Sequence, residues 1–137
     1  MKATVHRSDG ASYTHDVEIR NHRLIVDEPE EEGGRDRGPS PQELLAASLA
    51  GCVAITMEMY AQRKGWDIGN VGVSVELESP DHGAPAKFIV TLLLPAGCSD
   101  DQRERLRVIA TKCPVHRLLQ GDVSFEERIT LVQAPAG

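Results

Sequence analysis

Apolar and polar residues alternate in two parts of the chain, and each part predicts a pair of β-strands. In the first part, residues 14–19 alternate, a turn follows at residues 20–22, and the apolar run Leu24–Val26 completes a hairpin. In the second part, every second residue is apolar on both sides of a turn at residues 80–83, namely Val71, Val73, Val75, Leu77, Phe88, Val90, Leu92 and Leu94. This pattern is typical of antiparallel strands with one buried face and one solvated face.

A long apolar helix is predicted between the two strand pairs, after a charged, glycine-rich loop at residues 28–39. Ser40 is a helix N-cap, Pro41 suits the first helical position, and Glu43 completes a capping box. The helix is expected to end at Gly65. Because its middle is apolar nearly all round, we expect protein to surround it, and a domain this small would need a partner subunit for that.

The C-terminal part predicts a second capped helix that leads into a cysteine. Ser99 and Gln102 form another capping box, Pro114 breaks or restarts the helix, and Gly121 ends the next turn. The apolar positions of this helix recur at helical spacing: Leu106, Ile109, Ala110 and Cys113. A last strand is expected from four further apolar positions: Val123, Phe125, Ile129 and Leu131. The order of elements favours one α+β domain over residues 1–137, with antiparallel sheet.

Composition narrows the possible partners and the compartment. The 137 residues carry a net charge of −6, which argues against nucleic acid and against anionic membrane as partners. The apolar run at residues 44–57 is shorter than the roughly 20 residues that span a bilayer, so a core helix is expected. No apolar leader is visible in the first ten residues, and we expect a cytoplasmic, reducing environment. Three cysteines there indicate redox or metal chemistry more than structural disulfides.

Cys52 and Cys113 are the two candidates for redox chemistry. Cys52 lies mid-helix on the most apolar segment, where an inert core cysteine is the ordinary alternative. If Pro114 begins a new helix, Cys113 is its N-cap, and the helix amides with Lys112 and Arg117 nearby would favour a thiolate. A helix-breaking Cys-Pro with incidental bases is equally compatible. Two close thiols can react with a peroxide in sequence, first giving a sulfenic acid and then a disulfide.

Other residues near these motifs have more ordinary interpretations. Cys98 lies in a predicted turn and is expected to be an incidental exposed thiol. A zinc site made of Cys52, Cys98, Cys113 and His116 is a minor alternative, because paired ligands at short spacing are absent. His116 is expected to be a core or capping histidine. Met57, Met59 and Tyr60 are expected to pack in the core, and Trp66 to cover the end of the long helix.

Two motifs in the right order resemble those of the OsmC/Ohr family. The stretch Gly38–Leu45 with Leu49–Cys52 resembles the family's first cysteine motif, and Ala110–Leu119 its second, in the OsmC-like form. The segment Ile19–Pro29 is similar to the family's N-terminal strand pair.

The resemblance implies an α+β fold in which two subunits intertwine, with curved antiparallel sheets around a buried helix and active sites at the interface of a homodimer. It implies that Cys52 attacks the peroxide and that Cys113 resolves the sulfenic acid. It also implies an organic hydroperoxide substrate, no cofactor, and a dithiol reductant, which in some branches belongs to a lipoylated protein.

The resemblance further implies a glutamate and an arginine that activate the attacking thiol. Glu43 is the candidate for the glutamate, with Gln42 one residue away in the alternative register. Arg7 is the candidate for the arginine, and its competitors are Arg20, Arg23, Arg35 and Arg37. A cation close to Cys52 would lower the pKa of its thiol.

The leading hypothesis from the sequence is therefore an organic hydroperoxide reductase. The alternatives are a redox sensor or small-molecule-binding protein on the same fold, and a structural metal protein.

Overall fold

The computed structural model describes residues 1–8, 10, 12–78 and 84–133. Three strands come first, β1 (Thr4–Arg7), β2 (His15–Ile19) and β3 (His22–Val26), and a short 3₁₀ turn follows at Glu30–Glu32. The remaining elements are α1 (Pro41–Lys64), β4 (Gly72–Glu78), β5 (Lys87–Leu93), α2 (Asp100–Ala110) and α3 (Pro114–Gln120). The predicted α+β class with antiparallel pairing is confirmed.

The first sheet has the antiparallel order β1-β2-β3, so the predicted hairpin is confirmed and β1 adds a third strand. At the tight turn between β2 and β3, Arg20 takes a left-handed conformation with φ of 53°. The second sheet is the predicted β4–β5 pair, with Gly72 opposite Leu93 and Glu78 opposite Lys87. The expected turn at residues 80–83 lies outside the described residues.

A buried carboxylate, Asp27, holds the loop between β3 and α1. It is only 1% exposed and accepts hydrogen bonds from the Thr14 hydroxyl at 2.6 Å and from the amides of Glu28 at 2.7 Å and Arg37 at 3.2 Å. These bonds, with that of Thr14 the largest cause, lower the pKa of Asp27. Because a buried carboxylate is costly unless it is hydrogen-bonded, the loop is folded around Asp27.

Helix α1 begins and ends as predicted. The Ser40 hydroxyl accepts from the Glu43 amide at 3.2 Å, and the Glu43 carboxylate accepts from the Ser40 amide at 2.9 Å. Gly65 ends the helix with φ of 70°. One face of the helix is buried against β4, α2 and α3, at residues four apart: Leu49, Val53, Met57 and Ala61.

The opposite face of α1 is open, and we call it the outer face of α1. It presents large apolar side chains to solvent: Leu45, Ile55 and Met59. The chain itself therefore buries only one side of this helix. The prediction that a partner subunit covers the other side stays a prediction.

By length and mean hydropathy alone, α1 could also cross a membrane, since an 18-residue window reaches 1.6. The core helix of a soluble protein passes the same test. The packing of α1 against β4, α2 and α3 fits a core helix.

The C-terminal helices also begin as predicted. Ser99 and Gln102 form the capping box of α2, and Cys113 is the N-cap of α3 with Pro114 at its first position. The core of the chain lies between α1, α2 and β4–β5, and its fully buried side chains include Met57, Val53, Leu106 and Cys113.

The predicted last strand is wrong. Residues 121–133 form neither helix nor strand, and Phe125, Ile129 and Leu131 are between 82% and 92% exposed. Alternation along a sequence describes the two faces of a strand, but a strand forms only where a neighbour supplies hydrogen bonds. The chain supplies no such neighbour to this segment. The expected frayed tail at residues 134–137 lies outside the described residues.

Candidate functional site

The structure brings Cys52 and Cys113 to the same helical turn, although they are 61 positions apart in the sequence. Cys52 lies on α1 where that helix meets the N-terminus of α3. Both sulfurs face the first turn of α3, Cys52 is one of the neighbours that raise the pKa of Cys113, and both residues are free thiols rather than joined in a disulfide. Two thiols that converge on the same helical turn are candidates for disulfide formation.

The first turn of α3 holds both sulfur atoms. The amide of Val115 donates to Cys52 Sγ at 3.5 Å, and the amide of His116 donates to Cys113 Sγ at 3.3 Å. Pro114, at the first helical position, has no amide hydrogen to donate. The N-terminal amides of α3 that face the core are therefore directed at the two candidate sulfurs.

Burial disfavours the thiolate form of Cys113. The residue is fully buried, and this burial raises its pKa above the ordinary value, while the hydrogen bond from the His116 amide lowers the pKa by less. The predicted N-cap position is right, but the thiolate that the helix N-terminus was expected to favour is opposed by burial. Lys112 and Arg117 do not reverse this result, because both are exposed to solvent.

An open apolar groove of about 470 Å³ runs along the outer face of α1 beside Cys52. Its lining consists mainly of small and apolar side chains: Ala47, Ser48, Gly51, Ile55, Thr56, Met59 and Pro114. A Cβ added at Gly51 would meet nothing within 4 Å, so there is open space next to the residue that carries the sulfur. The groove can accept an apolar ligand and present it to Cys52.

The methionine and aromatic predictions near the groove are partly corrected. Met57 is a core residue as expected, but Met59 is 57% exposed and lines the groove, because it lies two helix positions further round α1. Tyr60 packs edge-to-face on Trp66 with ring centroids 5.6 Å apart, and this pair covers the end of α1 as predicted.

Glu43 lies far from Cys52 within one subunit. The two residues are nine positions apart, which is about two and a half turns and about 13 Å along the helix, on opposite sides. The Glu43 carboxylate accepts a hydrogen bond from the Ser40 amide, which lowers its pKa. The structure therefore gives Glu43 a capping role. A role for Glu43, or for the exposed Gln42, at the sulfur stays a prediction.

The candidate arginines belong to the N-terminal part of the chain. Arg7 ends β1 and pairs with His15 of β2. In the loop held by Asp27, the side chain of Arg35 donates to the carbonyl of Gly10 at 3.3 Å, and the amide of Arg37 donates to Asp27. By contrast, Cys52 Sγ accepts a hydrogen bond from the Val115 amide of α3. Which arginine meets Cys52 stays a prediction.

The expectation for Cys98 is wrong. It is only 6% exposed and belongs to the core, together with Ile68 and Leu106. The turn before α2 directs this residue inward, because the N-cap is the next residue, Ser99. The zinc alternative is also not supported, since no group of three or more metal-ligating side chains is placed to hold an ion within the part of the chain that the structure describes.

Two polar residues have roles in the structure that the sequence does not predict: Asp27, which is not among the candidates, and His116, which is expected to be a core or capping histidine. Asp27 could have been suspected, because a carboxylate that directly follows an apolar strand often turns inward to bind loop amides. The ring Nδ1 of His116 is buried without a hydrogen-bond partner among the described residues. His116 occupies the position three residues after an N-cap, where Glu43 and Gln102 close the capping boxes of α1 and α2.

Comparison with known proteins gives one family and a set of similar folds. A family model described as OsmC-like protein matches residues 33–128. No curated protein matches the chain.

Three solved structures illustrate the fold. A Psychrobacter arcticus protein, provisionally assigned to osmotic stress and detoxification, is 21% identical with a TM-score of 0.75, covering 86% of this chain and 87% of that chain. An OsmC-like protein from Mycoplasma pneumoniae is 19% identical with a TM-score of 0.71, covering 88% and 86%. An organic hydroperoxide resistance protein OsmC from Legionella pneumophila is 23% identical with a TM-score of 0.64, covering 88% of each chain.

Proposed function

Because the chain belongs to the OsmC-like protein family, we propose that it is a thiol-dependent peroxidase that reduces organic hydroperoxides with Cys52 and Cys113. The observation that carries the proposal is the convergence of these two thiols on the first turn of α3, beside an open apolar groove. Similar folds include proteins named for organic hydroperoxide resistance, which agrees with this chemistry.

Cys52 is the attacking residue in this proposal. It lines the groove, whereas Cys113 is fully buried behind it with a raised pKa. The Cys52 thiolate attacks the terminal oxygen of the hydroperoxide ROOH, and the O–O bond breaks. The alkoxide leaves and takes up a proton to become the alcohol ROH, while Cys52 becomes a sulfenic acid.

Cys113 then resolves the sulfenic acid. Its sulfur attacks Cys52 Sγ, the S–S bond forms, and the hydroxyl group leaves with the proton of Cys113 as water. The Val115 amide, which donates to Cys52 Sγ, is placed to stabilise the Cys52 thiolate that begins the first step. An external dithiol, either a small molecule or one carried by a lipoylated protein, restores the two thiols by exchange.

The apolar groove fits the organic part of the substrate. Its small residues leave room next to the sulfur, and Ile55 and Met59 provide apolar contacts further along α1. Burial of such surface is favourable by about 25 cal/mol per Å², so an alkyl or aryl hydroperoxide should bind better than hydrogen peroxide.

The working protein is proposed to be a cytoplasmic homodimer. The outer face of α1 and the segment at residues 121–133 both expose large apolar side chains, more than a single soluble subunit ordinarily leaves uncovered. A second subunit could cover them and could bring Glu43 and Arg7 of one chain nearer to the sulfur of the other. Three free thiols are in keeping with a reducing compartment.

Consumption of cumene hydroperoxide in the presence of dihydrolipoamide tests the proposal. Cys52→Ser should abolish turnover, because the hydroxyl is not a nucleophile towards peroxide under these conditions. Cys98→Ser is the matched control, since it changes a buried cysteine outside the thiol pair and should retain turnover. Equal turnover in wild type and Cys52→Ser would rule out the proposed mechanism.

The placement of Glu43 favours one alternative, a redox sensor or small-molecule-binding protein on the same fold. In its own subunit the carboxylate lies on the far side of α1 from Cys52 and is used in capping. A protein that forms the Cys52–Cys113 disulfide once but does not turn over with dihydrolipoamide would support this alternative.

A further inference from the structure

Helix α3 depends on its N-terminal cap more than the other helices do. It has only seven residues, none of them buried, and Leu118 is 64% exposed. A helix this short has little stability of its own in water. Helix α3 packs on the core only through partly buried residues such as Val115, so the hydrogen bonds of its first turn carry a larger share of its stability than in α1 and α2.

The cap of α3 consists of the two candidate redox sulfurs. In α1 and α2, a serine hydroxyl caps the helix and a glutamate or glutamine closes the box. In α3, Cys113 Sγ accepts a hydrogen bond from the His116 amide, and Cys52 Sγ accepts one from the Val115 amide. Pro114 has no amide hydrogen to donate. The side chain of His116 does not close the box, since its Nδ1 has no partner among the described residues.

We propose that formation of the Cys52–Cys113 disulfide uncaps α3, so that its first turn opens and exposes the disulfide to the reducing dithiol. This inference rests on the proposed function, because it assigns to α3 the step in which the enzyme is recycled. Oxidation removes the proton of each thiol and joins the two sulfurs by a covalent bond. Each sulfur is drawn towards the other and away from the amide that donated a hydrogen bond to it.

The opening solves a problem of access. In the reduced protein Cys113 is fully buried, so a bulky dithiol can approach only Cys52 Sγ, through the groove, and opening of α3 would expose the Cys113 sulfur as well. Thiol–disulfide exchange requires the attacking sulfur to approach one sulfur of the disulfide directly. An α3 that opens only in the oxidised state admits the reductant when it is needed. It closes again when the restored thiols recap the helix.

The test uses diamide to form the disulfide, so it needs no hydroperoxide. The two thiols lose two electrons and two protons, and diamide is reduced to the hydrazine. Amide hydrogen exchange is then followed by NMR in the reduced and oxidised full-length protein. We expect the amides of Val115 and His116 to exchange about fivefold faster after oxidation, the change typical of losing an N-cap. The amide of Gln102, capped by Ser99, should not change.

Two variants separate capping from other effects of oxidation. Cys113→Ser keeps a capping oxygen, so the His116 amide should stay protected with or without diamide. Cys113→Ala removes the acceptor, so the His116 amide should exchange fast even when reduced. If Cys113→Ala does not fold, the comparison of oxidised wild type with Cys113→Ser still decides the matter.

Unchanged exchange at Val115 and His116 in a protein whose disulfide is verified by mass spectrometry would overturn the inference. Failure of diamide to form the disulfide would overturn it as well. The proposed function has its own test, since it would be refuted by the absence of hydroperoxide turnover. That result would not affect the hydrogen-exchange measurement, which uses diamide and no hydroperoxide.

Discussion

Cys98 and Cys113 are both buried, and each stands at the start of a C-terminal helix, yet they differ by one position relative to the helix. Cys98 precedes the N-cap Ser99 of α2 and belongs to the apolar core. Cys113 is itself the N-cap of α3, so its sulfur accepts a hydrogen bond from the His116 amide and faces the same helical turn as the Cys52 sulfur. A shift of one residue thus separates a packing cysteine from a candidate redox cysteine, although burial is nearly the same.

The same comparison holds for the helices that follow. A serine caps α2, which buries Leu106 and Ala110, whereas sulfur caps α3, which buries none of its own residues. The core therefore holds α2 in place, whereas α3 packs on the core only through partly buried residues and relies more on local hydrogen bonds. Three measurements test this contrast.

The largest expected effect is on stability, from truncating a leucine in each helix. Leu106 is fully buried, so Leu106→Ala should lower the free energy of unfolding by about 2–5 kcal/mol. Leu118 is 64% exposed, so Leu118→Ala should change the free energy of unfolding by no more than about 0.5 kcal/mol. Urea denaturation of both variants measures the difference. A large loss from Leu118→Ala would mean that α3 is buried in the assembled protein.

The next effect is on turnover, from changing each cysteine to serine. With cumene hydroperoxide and dihydrolipoamide, Cys113→Ser should lower the steady-state rate on the order of 10²-fold, because an intramolecular thiol has a far higher effective concentration than an external one. Cys98→Ser should remain within about twofold of wild type, since surface or core changes away from reacting atoms rarely alter the chemical step. Similar rates in the two variants would remove the distinction between the cysteines.

The smallest effect is on the pH dependence of stability. The raised pKa of Cys113 in the folded protein means that its contribution is fully present below the unfolded thiol pKa of about 8.5 and is lost as pH rises through the folded value. Wild type should therefore lose more stability than Cys113→Ser between neutral and alkaline pH. The urea midpoint of each protein, measured at a series of pH values, gives this loss of stability. If the midpoints of wild type and Cys113→Ser fall in parallel as pH rises, ionisation of Cys113 is not the cause.

Local rules in the sequence predicted the helices well. The capping boxes of Ser40 with Glu43 and of Ser99 with Gln102 depend on residues three positions apart, and both formed. The N-cap position of Cys113 followed from Pro114 in the same way. Such rules work because the interacting groups are neighbours in the chain, whatever the rest of the fold does.

Features that depend on distant parts of the molecule were predicted less well. The contact of Cys52 with Cys113 came from a family resemblance, because spacing alone does not fix which helix faces meet. Burial of Cys98 and exposure of residues 121–133 depend on what surrounds each segment, and alternation or turn residues carry no information about that. The pKa of Cys113 depends on a competition between burial, which raises it, and hydrogen bonding to the His116 amide, which lowers it. The balance is visible only in the folded structure.

Gly51 shows how the outer face of α1 balances folding against chemistry. A glycine inside a helix is less favourable than alanine by about 1 kcal/mol, and an added methyl group would have ample room in the single chain. Replacing it with alanine is therefore the obvious stabilising change, and it would fill space beside Cys52, the residue proposed to attack the peroxide. Selection of thermostable variants at this position should accordingly be expected to trade catalytic rate for thermal tolerance.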